Sequence, residues 1–289
     1  MNILWIGTGV MGKSMAGHLL DAGHQLKVST RTREKAESLL KRGATWVDRP
    51  ADAAPEAEVI CAMVGYPSDV EAVLLGSEGV VATAKPGTLL IDFTTSSPDL
   101  AVRIAAEAGK VGCESLDAPV SGGDVGAKNA ALSIMVGGPR DTFDRALPIL
   151  ETMGKTIVYQ GMAGAGQHTK MANQILIASN MIGVCEGMLY AQKAGLDPDT
   201  VLQSVTTGAA GSWALQNLAP RFLKGDLEPG FFVEHFVKDM GIALEESKRM
   251  GLQMPGLSMA HELYTRLVEE GYGRKGTQVL IKALEAMAE

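Results

Sequence analysis

The chain has 289 residues, 46% of them hydrophobic and 20% charged, enough to bury a large core in two domains and to exclude collagen-like, disordered and disulfide-scaffold classes. A formal net charge of -7 with no basic tract argues against nucleic acid or an anionic membrane as partner. Cys61, Cys113 and Cys185 lie far apart among apolar or small residues, with neither a disulfide framework nor a metal-ligand spacing, so no metal is expected and a reducing cytoplasm is the expected home.

The first third alternates short β-rich apolar runs with helix-like stretches, the pattern of a parallel sheet wrapped by helices. Strands are expected at Ile3 to Ile6, Leu26 to Ser29, Val59 to Val64, Leu89 to Ile91, Ser115 to Leu116, Ser133 to Val136 and Ile157 to Tyr159, about seven in all. The chain opens directly on a strand, without the basic and apolar regions of an export signal, and no membrane span is expected. After Gly161-Met162-Ala163-Gly164 helical punctuation takes over, with Asp197-Pro198 starting one helix and Gly251 ending another. The expected fold is therefore an α/β Rossmann-like dinucleotide-binding domain over residues 1–163, followed by an all-α C-terminal domain over residues 164–289 that carries substrate-binding and oligomerisation surface.

Gly7-Thr8-Gly9-Val10-Met11-Gly12 follows the first strand and opens a helix expected from Lys13 to Ala22, with Gly23 as its stop. In that context Gly7 permits the tight turn, Gly9 lets the backbone approach a pyrophosphate, and Gly12 allows close helix–strand packing at a helix N-terminus that favours the anion. Met63 and Val64, at the end of the Val59 to Val64 strand, are counted with the same cofactor site. An NAD enzyme usually places an acid about twenty residues past the glycines, on the ribose 2′-hydroxyl. Here the second strand runs into Ser29-Thr30-Arg31-Thr32-Arg33, where Arg31 can pair with a 2′-phosphate and Thr30 and Thr32 can donate hydroxyls. NADP(H) is favoured, with NAD(H) as the alternative if the arginines only cover a solvated helix start.

Asp117-Ala118-Pro119-Val120-Ser121-Gly122-Gly123 is expected to follow a strand with a loop whose Ser121 hydroxyl and Gly122 and Gly123 amides suit a carboxylate, or to be an ordinary turn. The run from Gln167 to Ala194 is nearly all apolar except Lys170, Glu186 and Lys193, which reads as a helix buried on most faces. Lys170 then falls in its first turn, where the helix dipole and desolvation both disfavour the ammonium and suit the amine to acid–base work. Asn173 and Gln174 lie within reach of the same face. The bland alternative is a lysine that snorkels past the helix end to water. His168 reads as a helix-start or surface residue, and Trp213 as either a pocket wall or plain core.

Five ordered motifs carry a resemblance over the whole length. They are GTGVMG at Gly7 to Gly12, DFTT at Asp92 to Thr95, DAPVSGG at Asp117 to Gly123, GAGQHTKMANQ at Gly164 to Gln174, and VKDM at Val237 to Met240. The chain resembles the β-hydroxyacid dehydrogenase family, which includes 3-hydroxyisobutyrate dehydrogenase, tartronate semialdehyde reductase and glyoxylate/succinic semialdehyde reductase. The resemblance implies Lys170 as catalytic acid/base, Ser121, Gly122 and Gly123 on the substrate carboxylate, Thr95 beside the nicotinamide, Lys238 reaching the cofactor with Asp239 next to it, and Phe231 against the substrate. Many relatives carry Asn four residues after the lysine where this chain has Gln174, so which of Asn173 and Gln174 touches substrate stays open, and Lys238-Asp239 can also be read as a solvated surface pair.

The implied reaction is a reversible hydride transfer between NADP(H) and a short carboxylate-bearing hydroxy acid, semialdehyde or 2-oxo acid. A 6-phosphogluconate-type decarboxylating enzyme would need a longer helical region and a basic patch for the sugar phosphate, and an imine reductase usually carries another residue at the lysine position. A non-catalytic NADP-binding module is the alternative from a different class, and such a module would be expected to lose Lys170 or the Ser-Gly-Gly turn. The helical half alone is thin for its apolar content, which implies a homo-dimer or homo-tetramer.

Overall fold

The structure is a computed structural model, and it describes residues 1–288. The chain divides into two compact units, Met1–Lys170 and a second beginning at Met171.

The first unit contains β1 (Asn2–Ile6), α1 (Val10–Asp21), β2 (Gln25–Ser29), α2 (Glu37–Leu40), β3 (Thr45–Trp46), α3 (Pro50–Ala53), β4 (Val59–Ala62), α4 (Pro67–Leu75), β5 (Leu89–Asp92), α5 (Pro98–Lys110), β6 (Glu114–Asp117), β7 (Val120–Ser121), α6 (Gly123–Lys128), β8 (Leu132–Gly137), α7 (Arg140–Leu150) and β9 (Gly154–Gly161). Among the described residues nine strands form one sheet in the order β3-β2-β1-β4-β5-β6-β8-β7, with β9 also paired to β8. Strands from β3 to β6 run parallel, whereas β8 is antiparallel to β6 and β7. Strand order reverses at β1, between β2 and β4, which is where a doubly wound sheet opens a crevice for a ligand. The fully buried runs VICA and LLID of β4 and β5 show why periodicity alone marks these strands weakly: helices cover both faces, so no alternation survives. Two apolar layers result, one around Trp5, Leu19 and Phe93 and one around Leu4, Ile60 and Leu90.

Two strands exceed the seven expected from the sequence. β3 and β7 have two residues each, too few to show a period. The helix after the glycine motif also starts earlier than the expected Lys13: it begins at Val10, so Gly12 is a buried residue within its first turn.

From Ala165 the chain is helical: α8 (Ala165–Lys193), α9 (Pro198–Val205), α10 (Trp213–Asn217), α11 (Ala219–Leu223), α12 (Val233–Arg249), α13 (Pro255–Leu267) and α14 (Leu280–Met287). Asp197 caps α9 by accepting from the Thr200 amide. The second unit closes around Met181, Phe236, Met240 and Tyr264, with the Tyr264 hydroxyl donating to the Thr277 carbonyl at 2.7 Å. Among the described residues α8 is the one helix long and apolar enough to cross a bilayer by length and composition. Its buried side chains include Gln167, Lys170 and Gln174, each hydrogen-bonded to a protein partner, but Leu176 and Tyr190 are exposed, so the helix is not buried on most faces as expected from the sequence. Cys61 in β4 and Cys185 in α8 are free and fully buried, one in each unit.

Candidate functional site

The glycine motif lies between β1 and α1, at the point where the strand order reverses. Gly7 has φ +98°, and a Cβ there would run into the Met63 carbonyl, so no other residue fits the turn without strain. A Cβ on Gly12 would run into the Gly7 carbonyl, whereas one on Gly9 would meet nothing within 4 Å. The backbone is thus closed behind the motif and open in front of it at Gly9. Trp5 fixes the turn from below, its indole Nε1 donating to the Gly7 carbonyl at 2.7 Å while its ring stacks on Phe93. Gly9 caps α1 without a side-chain acceptor and no acid stands in the first turn, so the helix start is set up for an anion. The Thr8 hydroxyl is buried without a protein partner, and Val10 is half exposed beside it. These features fit the pyrophosphate of a dinucleotide.

At the end of β2, Thr30 is half-buried and Arg31 and Thr32 are exposed. The absence of an acid in this segment is local only. Arg31 Nη1 lies 3.3 Å from Asp69 Oδ1 of α4, a residue the sequence reading did not include. Asp69 is held there because it also accepts from the Tyr66 amide in the capping box of α4. Met63 and Val64 lie just past β4, and the Val64 amide donates to Thr94 Oγ1 at 3.0 Å, tying that strand end to the turn carrying Thr95. Asp92 sets the turn by accepting from the Thr94 amide.

Ser121 belongs to β7, paired with Ser133 of β8, and is not in a loop as expected; Gly122 follows with φ +132° and α6 begins at Gly123. Lys170 lies on α8 with only 6% of its surface exposed, and Nζ donates to the Val120 carbonyl at 2.9 Å, next to Ser121. A snorkelling lysine is therefore excluded. The expected helix start is two residues late: α8 begins at Ala165, which places Lys170 in the second turn. The helix dipole weakens beyond the first turn, so the dipole argument drawn from the sequence does not carry over to Lys170. His168 is exposed.

In the second unit Gln174 is 1% exposed, accepts from Asn173 Nδ2 at 2.7 Å and donates through Nε2 to Asp239 Oδ2 at 2.7 Å. Lys238 Nζ lies 2.8 Å from Asp239 Oδ1, with side-chain exposures of 13% and 2%. This pair is buried, which overturns the solvated-pair reading. Phe231 packs edge-on against Phe236 with ring centroids 5.7 Å apart, just ahead of α12. Trp213 is 62% exposed at the start of α10, so it is not core. The structure brings Lys170, Val120 and Ser121 together in the first unit, and Asn173, Gln174, Lys238 and Asp239 together in the second.

A doubly wound sheet with an open glycine cradle at its switch point and a buried lysine beside a Ser-Gly-Gly turn defines a nicotinamide-dinucleotide oxidoreductase. Comparison with known proteins gives the family. Residues 2–161 match the NAD binding domain of 6-phosphogluconate dehydrogenase, and residues 164–284 match the NAD-binding domain of NADP-dependent 3-hydroxyisobutyrate dehydrogenase. An uncharacterised oxidoreductase of Bacillus subtilis (strain 168) is 59% identical over 278 residues, 96% of each chain. The 2-hydroxy-3-oxopropionate reductase of Escherichia coli (strain K12) is 38% identical, over 100% of this chain and 98% of the relative. The structure of Mycobacterium tuberculosis 3-hydroxyisobutyrate dehydrogenase with L-serine superposes with a TM-score of 0.89 at 31% identity, covering 98% of each chain. The chain belongs to the β-hydroxyacid dehydrogenase family and is an NAD(P)-dependent oxidoreductase acting on CH–OH groups.

Proposed function

We propose that the protein transfers a hydride between NADP(H) and a short 3-hydroxy acid, semialdehyde or 2-oxo acid, with Lys170 as the general acid/base. The observation that carries this reading is the burial of Lys170 with Nζ on the Val120 carbonyl, directly beside Ser121. The bound nicotinamide supplies the redox step. The chain supplies the rest: Gly7, Thr8, Gly9, Val10, Met11 and Gly12 hold the pyrophosphate, Met63, Val64 and Thr95 line the ring, and Ser121, Gly122 and Gly123 fix the substrate carboxylate. Lys170 protonates the developing alkoxide during reduction and accepts the hydroxyl proton during oxidation.

Asn173 is the amide that meets substrate. Gln174 is buried and engaged at both ends, so it orients Asn173 and Asp239. Asp239 pairs with Lys238, and the family resemblance gives Lys238 the cofactor and Phe231 the substrate as their roles. Preference for NADP(H) rests on Arg31, aided by Thr30 and Thr32. The Asp69 contact favours a second reading, in which NAD(H) is used and Asp69 occupies Arg31.

The working form is a homo-dimer or homo-tetramer, supported by Leu176 and Tyr190, exposed by 72% and 75% on α8 with Gly183 and Gly187 open between them. Three free, buried thiols suit a cytoplasmic enzyme. The test is a cofactor-consumption screen with NADPH and NADH in parallel against glyoxylate, tartronate semialdehyde, succinic semialdehyde and methylmalonate semialdehyde. Turnover of none of them would overturn the reading.

A further inference from the structure

We propose that Asp117 is a positioning residue for Lys170, its carboxylate anchoring the start of α8 so that Nζ meets the Val120 carbonyl beside Ser121. This rests on the proton-transfer reading of Lys170. Asp117 ends β6 and is 4% exposed. Its Oδ1 accepts from the Gly164 amide at 2.8 Å and its Oδ2 from the Gln167 amide at 2.8 Å, so one side chain from a strand far away in the sequence holds the residue before α8 and a donor of its first turn. A local Ser or Asn usually does that work, at far lower desolvation cost than a buried carboxylate.

The carboxylate has no room to shift. A Cβ on Gly137 of β8 would lie 2.6 Å from Oδ1, and one on Gly166 of α8 would lie 2.8 Å from Oδ2. Backbone therefore closes on Asp117 from both sides. The same helical turn grips the neighbouring strand end, because the fully buried Gln167 donates through Nε2 to the Thr94 carbonyl and accepts through Oε1 from the Ser96 amide, at 2.8 and 2.9 Å. Thr95 lies between those two bonds, and Lys170 lies three residues, or nearly one turn, beyond Gln167. The ends of β5, β6 and β7 are thus each tied to the first two turns of α8. A displacement of that helix start moves Nζ.

The test combines Asp117→Asn with Lys170→Met, alone and together, using the semialdehydes above as probes. If Asp117 acts through Lys170, Asp117→Asn lowers kcat by about 10- to 100-fold in the parent, as expected for a small misplacement of the reacting group. In the Lys170→Met background it lowers kcat by less than about twofold, because two residues acting as one unit are not additive. A plain structural cap would lower both backgrounds equally, or lower only the melting temperature. A second readout needs no turnover: acetylation of Lys170, followed by mass spectrometry, should be at least about tenfold faster in Asp117→Asn as the helix start opens locally. If Asp117→Asn does not fold, Gln167→Met carries the same two measurements. Equal losses in both backgrounds, or unchanged Lys170 acetylation, would overturn the positioning role. Retained turnover in Lys170→Met alone would instead overturn proton transfer by Lys170, and the acetylation rate would still decide whether Asp117 places it.

Discussion

Replacing Lys170 by methionine separates proton transfer from the other contributions of the side chain. The amine is 6% exposed and donates to Val120 O at 2.9 Å. Leaving the buried Val120 carbonyl without this donor costs about 1–3 kcal/mol. Against that, the substitution removes a polar group whose burial itself costs free energy, and methionine keeps most of the stem volume. The opposing terms leave a stability change of no more than about 2 kcal/mol, a shift of a few degrees in Tm for a protein of this size. Turnover is expected to fall by about 10²- to 10⁴-fold, which is about 3–5 kcal/mol of barrier and larger than any structural term. NADPH affinity is expected to change by less than about threefold, under 1 kcal/mol. Steady-state turnover, NADPH fluorescence titration and a thermal melt read the three quantities separately. Turnover within about tenfold of the parent would refute the acid/base assignment, since that is less than general acid–base catalysis typically supplies. Lost folding would make Lys170 a structural residue.

Arg31→Ala should lower NADPH affinity by about tenfold, the low end for a charge-assisted bond at an exposed side chain, and leave NADH affinity unchanged; equal binding of both cofactors by the parent would refute the NADP(H) preference. Asp69→Asn releases Arg31 and should raise NADPH affinity by about two- to fivefold, whereas a loss of NADH affinity with no gain for NADPH would establish the NAD(H) reading. Leu176→Glu should convert the oligomer to monomer in light scattering, and a monodisperse monomer of the parent at micromolar concentration would contradict assembly through α8. Asp117 predicts a pH dependence of stability. Burial pushes its carboxyl above the usual range, outweighing the amides of Gly164, Gln167 and Gly166 that pull it down. A raised folded pKa means that the stabilising contribution is complete below the unfolded value of 3.8 and is lost as pH rises through the folded pKa. The Tm of Asp117→Asn relative to the parent should therefore rise with pH across the acid range; a constant difference would refute the shift.

The cofactor half was legible because its chemistry is written in local spacing. Gly7, Gly9 and Gly12 stand within six residues of one another, and a strand before and a helix after complete the signature, although what Gly7 makes room for is the distant Met63 carbonyl. Lys170 could be singled out for the same reason, as a charge in an apolar helix. What escaped depends on residues far apart in the chain. The true start of α8 is set by Asp117, which reaches it across 47 residues to Gly164, so Gly164-Ala165-Gly166 reads as a linker until the carboxylate is in place. Asp69 meets Arg31 across 38 residues, and Gln174 meets Asp239 across 65. Two adjacent charges such as Lys238 and Asp239 look like solvated surface in a sequence, yet their side chains are only 13% and 2% exposed in the fold.

The two fully buried thiols have a practical consequence. Cys61 and Cys185 sit in the cores of different units, and burial pushes both thiols up, Cys185 to about 12, so neither offers an appreciable thiolate near neutral pH. An alkylating reagent therefore reaches each sulfur only when the surrounding half opens. Labelling rates at the two cysteine peptides measure separately how often the dinucleotide half and the helical half come apart, without a dye, a tag or a bound ligand.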